Sequence, residues 1–126
     1  MNAIQLHGDE APQFCSGLPL PVVKAFQVDG PASLAKLDQY SVAAFLLDAP
    51  SKGYGGSGAK FDWGLIKESG EGRPIVLAGG LNAANVKKAI RLVRPYAVDV
   101  ASGVESRPGV KDFHKMERFI AAAKGA

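Results

Sequence analysis

The sequence holds one cysteine, Cys15, in 126 residues. A lone thiol excludes an internal disulfide framework and suits a reducing, cytoplasmic setting. Long hydrophobic runs are also missing: the longest, residues 41–47 and 74–78, are far too short for a bilayer. Residues 1–10 contain no basic region followed by an apolar stretch, so no secretory signal is expected. Charge of one sign is scarce as well. Fifteen basic against twelve acidic side chains leave +3, and the Lys and Arg residues are scattered, which does not indicate a nucleic-acid surface. Neither a low-complexity tract nor a linker composition divides the chain, so a single unit with one hydrophobic core is expected over residues 1–126.

What is present is a repeated alternation. Short apolar runs at residues 3–6, 22–28, 43–47, 74–78 and 97–100 predict strands. Between them, residues 12–18, 31–40 and 61–66 read as helices. Pro12 suits a first helical turn, and Leu34 and Leu37 share a face. Asn82 is a good N-cap for a helix bearing Val86, Ala89, Ile90 and Val93 at i, i+3, i+4, i+7. The last helix, residues 111–124, places Phe113, Met116, Phe119 and Ile120 on one stripe. Five strand–helix repeats with strands too apolar to be one-sided imply an α/β fold, a parallel sheet covered by helices and joined by right-handed crossovers.

Polar and glycine residues collect directly after the strands: His7, Asp48, Gly79-Gly80, and Asp99 through Gly103. In parallel α/β architectures that edge binds ligands, because successive loops converge there. Each position alone is equally well a turn residue. Gly79-Gly80 precedes a helix N-terminus, where backbone N–H groups and the helix dipole favour an anion. Paired with Ser102-Gly103 one strand later, it resembles the phosphate grip that barrels build after their last two strands. Asp48, at the edge of the apolar run Ala43-Ala44-Phe45-Leu46-Leu47, suits acid work near neutral pH, though a turn-initiating Asp fits the spacing too. Residues 53–58, rich in glycine, could form a flap over a ligand or simply a flexible loop. Trp63 is expected to be a packing anchor, His114 solvated, and Cys15 a buried, unreactive thiol.

In order along the chain stand Gln5-Leu6-His7-Gly8-Asp9-Glu10, Leu46-Leu47-Asp48, Gly53-Tyr54-Gly55-Gly56-Ser57-Gly58 with Phe61-Asp62-Trp63, Leu77-Ala78-Gly79-Gly80-Leu81, and Asp99-Val100-Ala101-Ser102-Gly103-Val104-Glu105. As an ordered set, running from about residue 3 to 124, they resemble the phosphoribosylanthranilate isomerases of tryptophan biosynthesis. That resemblance implies a (β/α)8 barrel of TIM type and an Amadori rearrangement of N-(5-phosphoribosyl)anthranilate to the corresponding 1-deoxyribulose 5-phosphate, without metal or organic cofactor. It implies that Asp48 is the general acid that opens the furanose ring. His7 and Asp99 would line the substrate pocket, and Gly79, Gly80, Ser102 and Gly103 would hold the phosphate through backbone N–H groups.

The family begins with three further βα units that carry its general base, a cysteine in a Lys-Ile-Cys-Gly motif, and an arginine for the anthranilate carboxylate. Neither is found in this sequence, which opens at what resembles the fourth strand. Cys15 matches the helix after the fourth strand, on the outside of the barrel, and is no substitute. The expectation is therefore an incomplete barrel, resembling units four to eight. Its isomerase turnover alone would be negligible, and its free strand edges would favour self-association or a complementary N-terminal fragment. A non-catalytic phosphate-binding half-barrel or assembly module is the alternative, and a neighbouring tryptophan-pathway lyase the runner-up among enzymes.

Overall fold

A computed structural model describes residues 1–49, 63–69 and 72–126. Among these residues, five parallel strands form one sheet: β1 (Ile4–Leu6), β2 (Val22–Gln27), β3 (Ala44–Asp48), β4 (Ile75–Ala78) and β5 (Ala97–Val98). Their spatial order equals their sequence order. The register runs Ile4↔Val22, Val23↔Ala44, Phe45↔Ile75 and Val76↔Ala97. Helices α1 (Pro12–Ser16), α2 (Pro31–Ala35), α3 (Gly64–Ser69), α4 (Val86–Val93) and α5 (Phe113–Lys124) lie between and after the strands. From α2 onward, each helix contacts the next in sequence. A doubly wound sheet would reverse its strand order at a switch point, whereas this one progresses in a single direction, as in a TIM-type barrel.

Strand alternation explains the two faces. Val22, Lys24, Phe45, Leu47, Ile75 and Leu77 point to the helices and are buried. Of these, Phe45, Leu47, Ile75 and Leu77 form one core with Leu34, Leu37, Ile66, Val86, Ala89, Val93 and Phe119. Each large aliphatic side chain buried this way contributes about 1.5–3 kcal/mol relative to exposure. The opposite face, with Val23, Ala25, Ala44, Leu46, Val76 and Ala97, is only half-buried. The expectation of cover on both faces is thus met on one, because all four helices from α2 to α5 contribute to the same core. The other face carries Ala and Val, small residues suited to the concave side of a curving sheet.

Several element ends differ from the sequence reading. The predicted helix over 31–40 tightens after Ala35 into a 3-10 turn, Lys36–Gln39. Leu34 and Leu37, both buried, are three apart, a spacing that a three-residue turn stacks directly. Asn82 caps a turn rather than the helix. Its Oδ1 accepts from Ala84 N at 2.9 Å and Asn85 N at 3.1 Å, and α4 begins only at Val86. Asp112, whose Oδ1 accepts from Lys115 N at 2.9 Å, is the N-cap of α5. The stripe expected on α5 is mostly open: Phe119 is buried, but Phe113, Met116 and Ile120 are exposed. A 3-10 turn, Ser102–Val104, and a small hairpin, β6 (Glu105–Arg107) with β7 (Val110–Lys111), were not expected at all.

Arg73 fastens the sheet's N-terminal end. Its guanidinium lies 4.6 Å from the centre of the Phe45 ring and donates to the carbonyl oxygens of Tyr40 and Leu37. Cys15 is buried and His114 is 85% exposed, both as expected. Trp63 belongs to the core cluster, as expected of a packing anchor.

Candidate functional site

The C-terminal ends of the strands surround one open cavity of about 300 Å³. Its walls are Gln5 from β1 and His7 just after it, Ala25, Phe26 and Gln27 from β2, Leu46 and Asp48 from β3, Ala78 from β4, and Asp99 after β5. The register explains this gathering: Gln27 pairs with Asp48 and Asp48 with Ala78, so side chains of one parity end on the same side at the same height. His7, Asp48 and Asp99, 92 positions apart from first to last in number, thus share a pocket. Asp48 is exposed at its mouth rather than enclosed by the apolar core, since the sheet packs its helices on the other face.

The two glycine loops adjoin this pocket and each other. Gly79 (φ +96°) and Gly80 (φ +60°) are left-handed, a conformation L side chains rarely adopt. A methyl group on Gly79 would also overlap Ala49 O and the Asp48 carboxylate. One loop further, a methyl on Gly103 would overlap Leu81 O and lie 2.9 Å from the Leu81 carbonyl carbon. Glycine at both places is therefore a packing requirement: Gly79 abuts Asp48, and Gly103 abuts the chain just beyond Gly80. Asn85 strengthens the first loop, its Nδ2 donating to Gly80 O at 3.0 Å and its Oδ1 accepting from Asn82 N at 2.8 Å. The regular helix starts one turn later than the sequence suggested, so backbone groups of the loop and the Asn82 turn lie between Gly80 and α4.

The Ser102 loop is held from below by the unexpected hairpin. Lys111 Nζ donates to Ala101 O at 3.0 Å and to Glu105 Oε1 at 3.0 Å. Glu105 Oε2 accepts from Gly109 N at 2.7 Å, and Lys115 Nζ donates to Glu105 O at 2.7 Å. The Lys111 ammonium, followed by the Gly109 amide, holds the Glu105 carboxyl below its ordinary range. Pro108-Gly109, with Gly109 at φ +80°, was the sequence signal for this turn.

Gln5, quoted only within a motif, was given no site role, and sequence reasoning passed over Gln27, a polar side chain at the end of β2, and Lys24, a charge inside the apolar run of β2. Lys24 is 1% exposed on the helix side. The glycine-rich stretch 53–58 lies outside the described residues, so a flap there stands only as an expectation. Among the described residues, no helix is long and apolar enough to cross a membrane, and no group of His, Cys, Asp and Glu is arranged to hold a metal ion.

Comparison with known proteins agrees with this geometry. The family model for N-(5'-phosphoribosyl)anthranilate (PRA) isomerase matches residues 1–122. An N-(5'-phosphoribosyl)anthranilate isomerase of Myxococcus xanthus is 50% identical, with 98% of this chain aligned to 61% of that protein. The solved phosphoribosyl anthranilate isomerase of Thermotoga maritima superposes with a TM-score of 0.83 at 43% identity, covering 100% of this chain and 63% of that one. A further isomerase structure, in complex with reduced 1-(o-carboxyphenylamino)-1-deoxyribulose 5-phosphate, gives a TM-score of 0.81 at 39% identity over 100% of this chain and 61% of that one. The chain thus spans about three fifths of the length of the relatives it matches. A sheet that winds one way, and a family match along nearly its whole length, leave no doubt of descent: this chain belongs to the phosphoribosylanthranilate isomerase family.

Proposed function

We propose that this chain provides the acid and the phosphate grip of an isomerase acting on N-(5-phosphoribosyl)anthranilate in tryptophan biosynthesis. The observation that carries the reading is the shared pocket of His7, Asp48 and Asp99 beside the touching Gly79 and Gly103 loops. Backbone N–H groups of Gly79, Gly80, Ser102 and Gly103 hold the phosphate, a role for which the left-handed backbone at Gly79 and Gly80 is suited. Asp48 donates a proton to the furanose ring oxygen as the C1′–O bond breaks, giving an open-chain iminium. A base then removes the C2′ proton, and the resulting enamine-enol becomes the aminoketose. Asp99 and His7 contact the sugar. The relative bound to a reduced deoxyribulose 5-phosphate product supports the substrate class.

No cysteine lies at this pocket among the described residues, since Cys15 is buried in α1. The C2′ base is supplied from outside the chain, by an N-terminal complement of three βα units. The half-buried apolar face of the sheet, the edge positions of β1 and β5 among the described residues, and the exposed Phe113, Met116 and Ile120 of α5 support such a partner, or a second copy in its absence.

The test is a steady-state isomerase assay of the chain alone and after adding a fragment comprising the first three units of a relative. Negligible turnover alone, rescue by the fragment, and loss of the rescue on Asp48→Asn are expected. Full turnover by the chain alone would refute the need for an external base. Phosphate binding without rescue by the fragment would favour a non-catalytic half-barrel instead. Light scattering coupled to size exclusion reads association directly: a well-folded monomer at micromolar concentration would oppose it.

A further inference from the structure

The buried Lys24 has no place in that chemistry, yet its surroundings are built to hold it. Its Nζ donates to Gly8 O at 2.7 Å and to Glu10 Oε1 at 3.1 Å, with Ala25 O at 3.4 Å. The ammonium also lies 5.0 Å from the Phe26 ring centre and 5.9 Å from that of Tyr40, within reach of cation–π attraction. Glu10 returns the contact. Its two carboxylate oxygens accept from Gly8 N at 3.0 and 3.1 Å. Tyr40 Oη donates to Glu10 O at 2.8 Å, tying the same loop to the chain beyond α2.

Both polar groups of Gly8 are therefore fixed, its N–H by Glu10 and its C=O by Lys24. The N–H belongs to the peptide unit that joins Gly8 to His7, so fixing it sets the direction in which His7 leaves β1. His7 lines the pocket on the opposite face of the sheet from Lys24. Glycine is needed at position 8 for the carboxylate to come this close: a methyl there would lie 2.5 Å from Glu10 Oε2. The Lys24 ammonium, ahead of the Gly8 amide, keeps the Glu10 carboxyl below its ordinary range, as a committed ion pair requires.

We infer that Lys24 and Glu10 are positioning residues, a clamp beneath the sheet that aims His7 at the sugar-phosphate ligand. Lys24 is buried and Glu10 is 24% exposed, and for a buried ammonium desolvation offsets much of the attraction, so the pair is weak evidence for a purely stabilising role. This clamp holds the two peptide units that flank the Gly8 Cα, one through Glu10 and one through Lys24, which an apolar residue at position 24 could not do. The inference rests on the proposed reading of the pocket as a sugar-phosphate site.

The chain has two histidines, which makes the test direct. Long-range proton–nitrogen NMR spectra resolve the His7 and His114 imidazoles, and His114, 85% exposed on α5, is the internal reference. Lys24→Met removes the ammonium, and Gly8→Ala displaces the Glu10 carboxylate while keeping both charges. In each folded variant the His7 signals are expected to shift or split without ligand, with His114 unchanged. Affinity for ribose 5-phosphate, followed at His7, should fall about three- to tenfold, the worth of one misplaced hydrogen bond. Glu10→Gln, which retains an acceptor, should fall between. If Lys24→Met does not fold, Gly8→Ala decides. A wild-type His7 that responds to ribose 5-phosphate, with variant spectra superimposable on it and affinity unchanged, would overturn the clamp. A wild-type His7 that ignores ribose 5-phosphate would instead overturn the pocket reading, and with it the purpose assigned to the clamp.

Discussion

Replacing Gly103 by alanine is the most informative single change at the loops proposed to hold phosphate. The added methyl would overlap Leu81 O, lie 2.9 Å from Leu81 C and 3.2 Å from Val100 Cγ2. Two of these three neighbours are backbone atoms, so no rotamer change relieves the overlap. Restoring van der Waals contact requires the Ser102–Val104 turn and the Leu81 chain to part by roughly 1.5 Å, and overpacking of this kind typically costs about 1–3 kcal/mol. The left-handed strain that accompanies Gly79 does not arise here, so the penalty measures the interlock itself. If these loops hold phosphate as proposed, a displacement of this size should weaken binding by up to about a hundredfold. Urea denaturation of the chain gives the first quantity, and an NMR titration with inorganic phosphate the second. Gly109→Ala is the control, because its methyl meets open space and only its φ of +80° resists. That change should cost roughly 1–2 kcal/mol and leave phosphate affinity alone. Gly103→Ala with wild-type stability and wild-type amide shifts from Ala101 to Val104 would refute the reasoning.

Other perturbations test separate parts of the structure. Arg73→Met removes the guanidinium from the Tyr40 and Leu37 carbonyls and from the Phe45 ring, and should lower unfolding free energy in urea by about 2 kcal/mol without affecting ligand binding. Lys111→Met frees Ala101 O, so phosphate affinity should fall while the urea midpoint barely moves, because an exposed ion pair contributes little to global stability. The Glu10, Glu105 and Asp112 carboxyls are each held below their ordinary range, chiefly by Lys24, by Lys111 and by the Lys115 amide respectively. The stabilisation from each is complete above its unfolded-chain value, 4.5 for Glu and 3.8 for Asp, and is lost as pH falls through the lower folded value. Thermal unfolding followed from pH 7 downward should therefore show a flat region and then an acid decline, and Lys24→Met should make that decline shallower.

Much of the fold was legible because strand and helix differ in period. Val86, Ala89 and Val93 are buried along α4, as their spacing required. The pocket was legible for a related reason: residues that end parallel strands converge, so His7, Asp48 and Asp99 could be grouped without coordinates. What escaped notice depends on partners distant in sequence. Lys24 reads as an interruption of an apolar strand until Glu10, fourteen residues earlier, is seen against it. Phe113, Met116 and Ile120 have the spacing of a core stripe, yet spacing alone cannot say whether a neighbour covers it, and here they are exposed. The Glu105–Lys111 hairpin was missed because its strands are three and two residues long, too short for alternation to register.

The matching of spatial to sequential strand order has a consequence for synthesis. Each strand pairs with the one before it, as in Ile4 with Val22 and Val76 with Ala97, so no part of the sheet must wait for a distant partner. A nascent chain emerging from the ribosome can extend the sheet one unit at a time, each new helix covering the strand just laid down. The contact of Gly103 with Leu81 joins the last two of these units. The interlock of the Gly79 and Gly103 loops, with the phosphate role proposed for it, is therefore assembled at the end of this growth, after Asp48 is already in place.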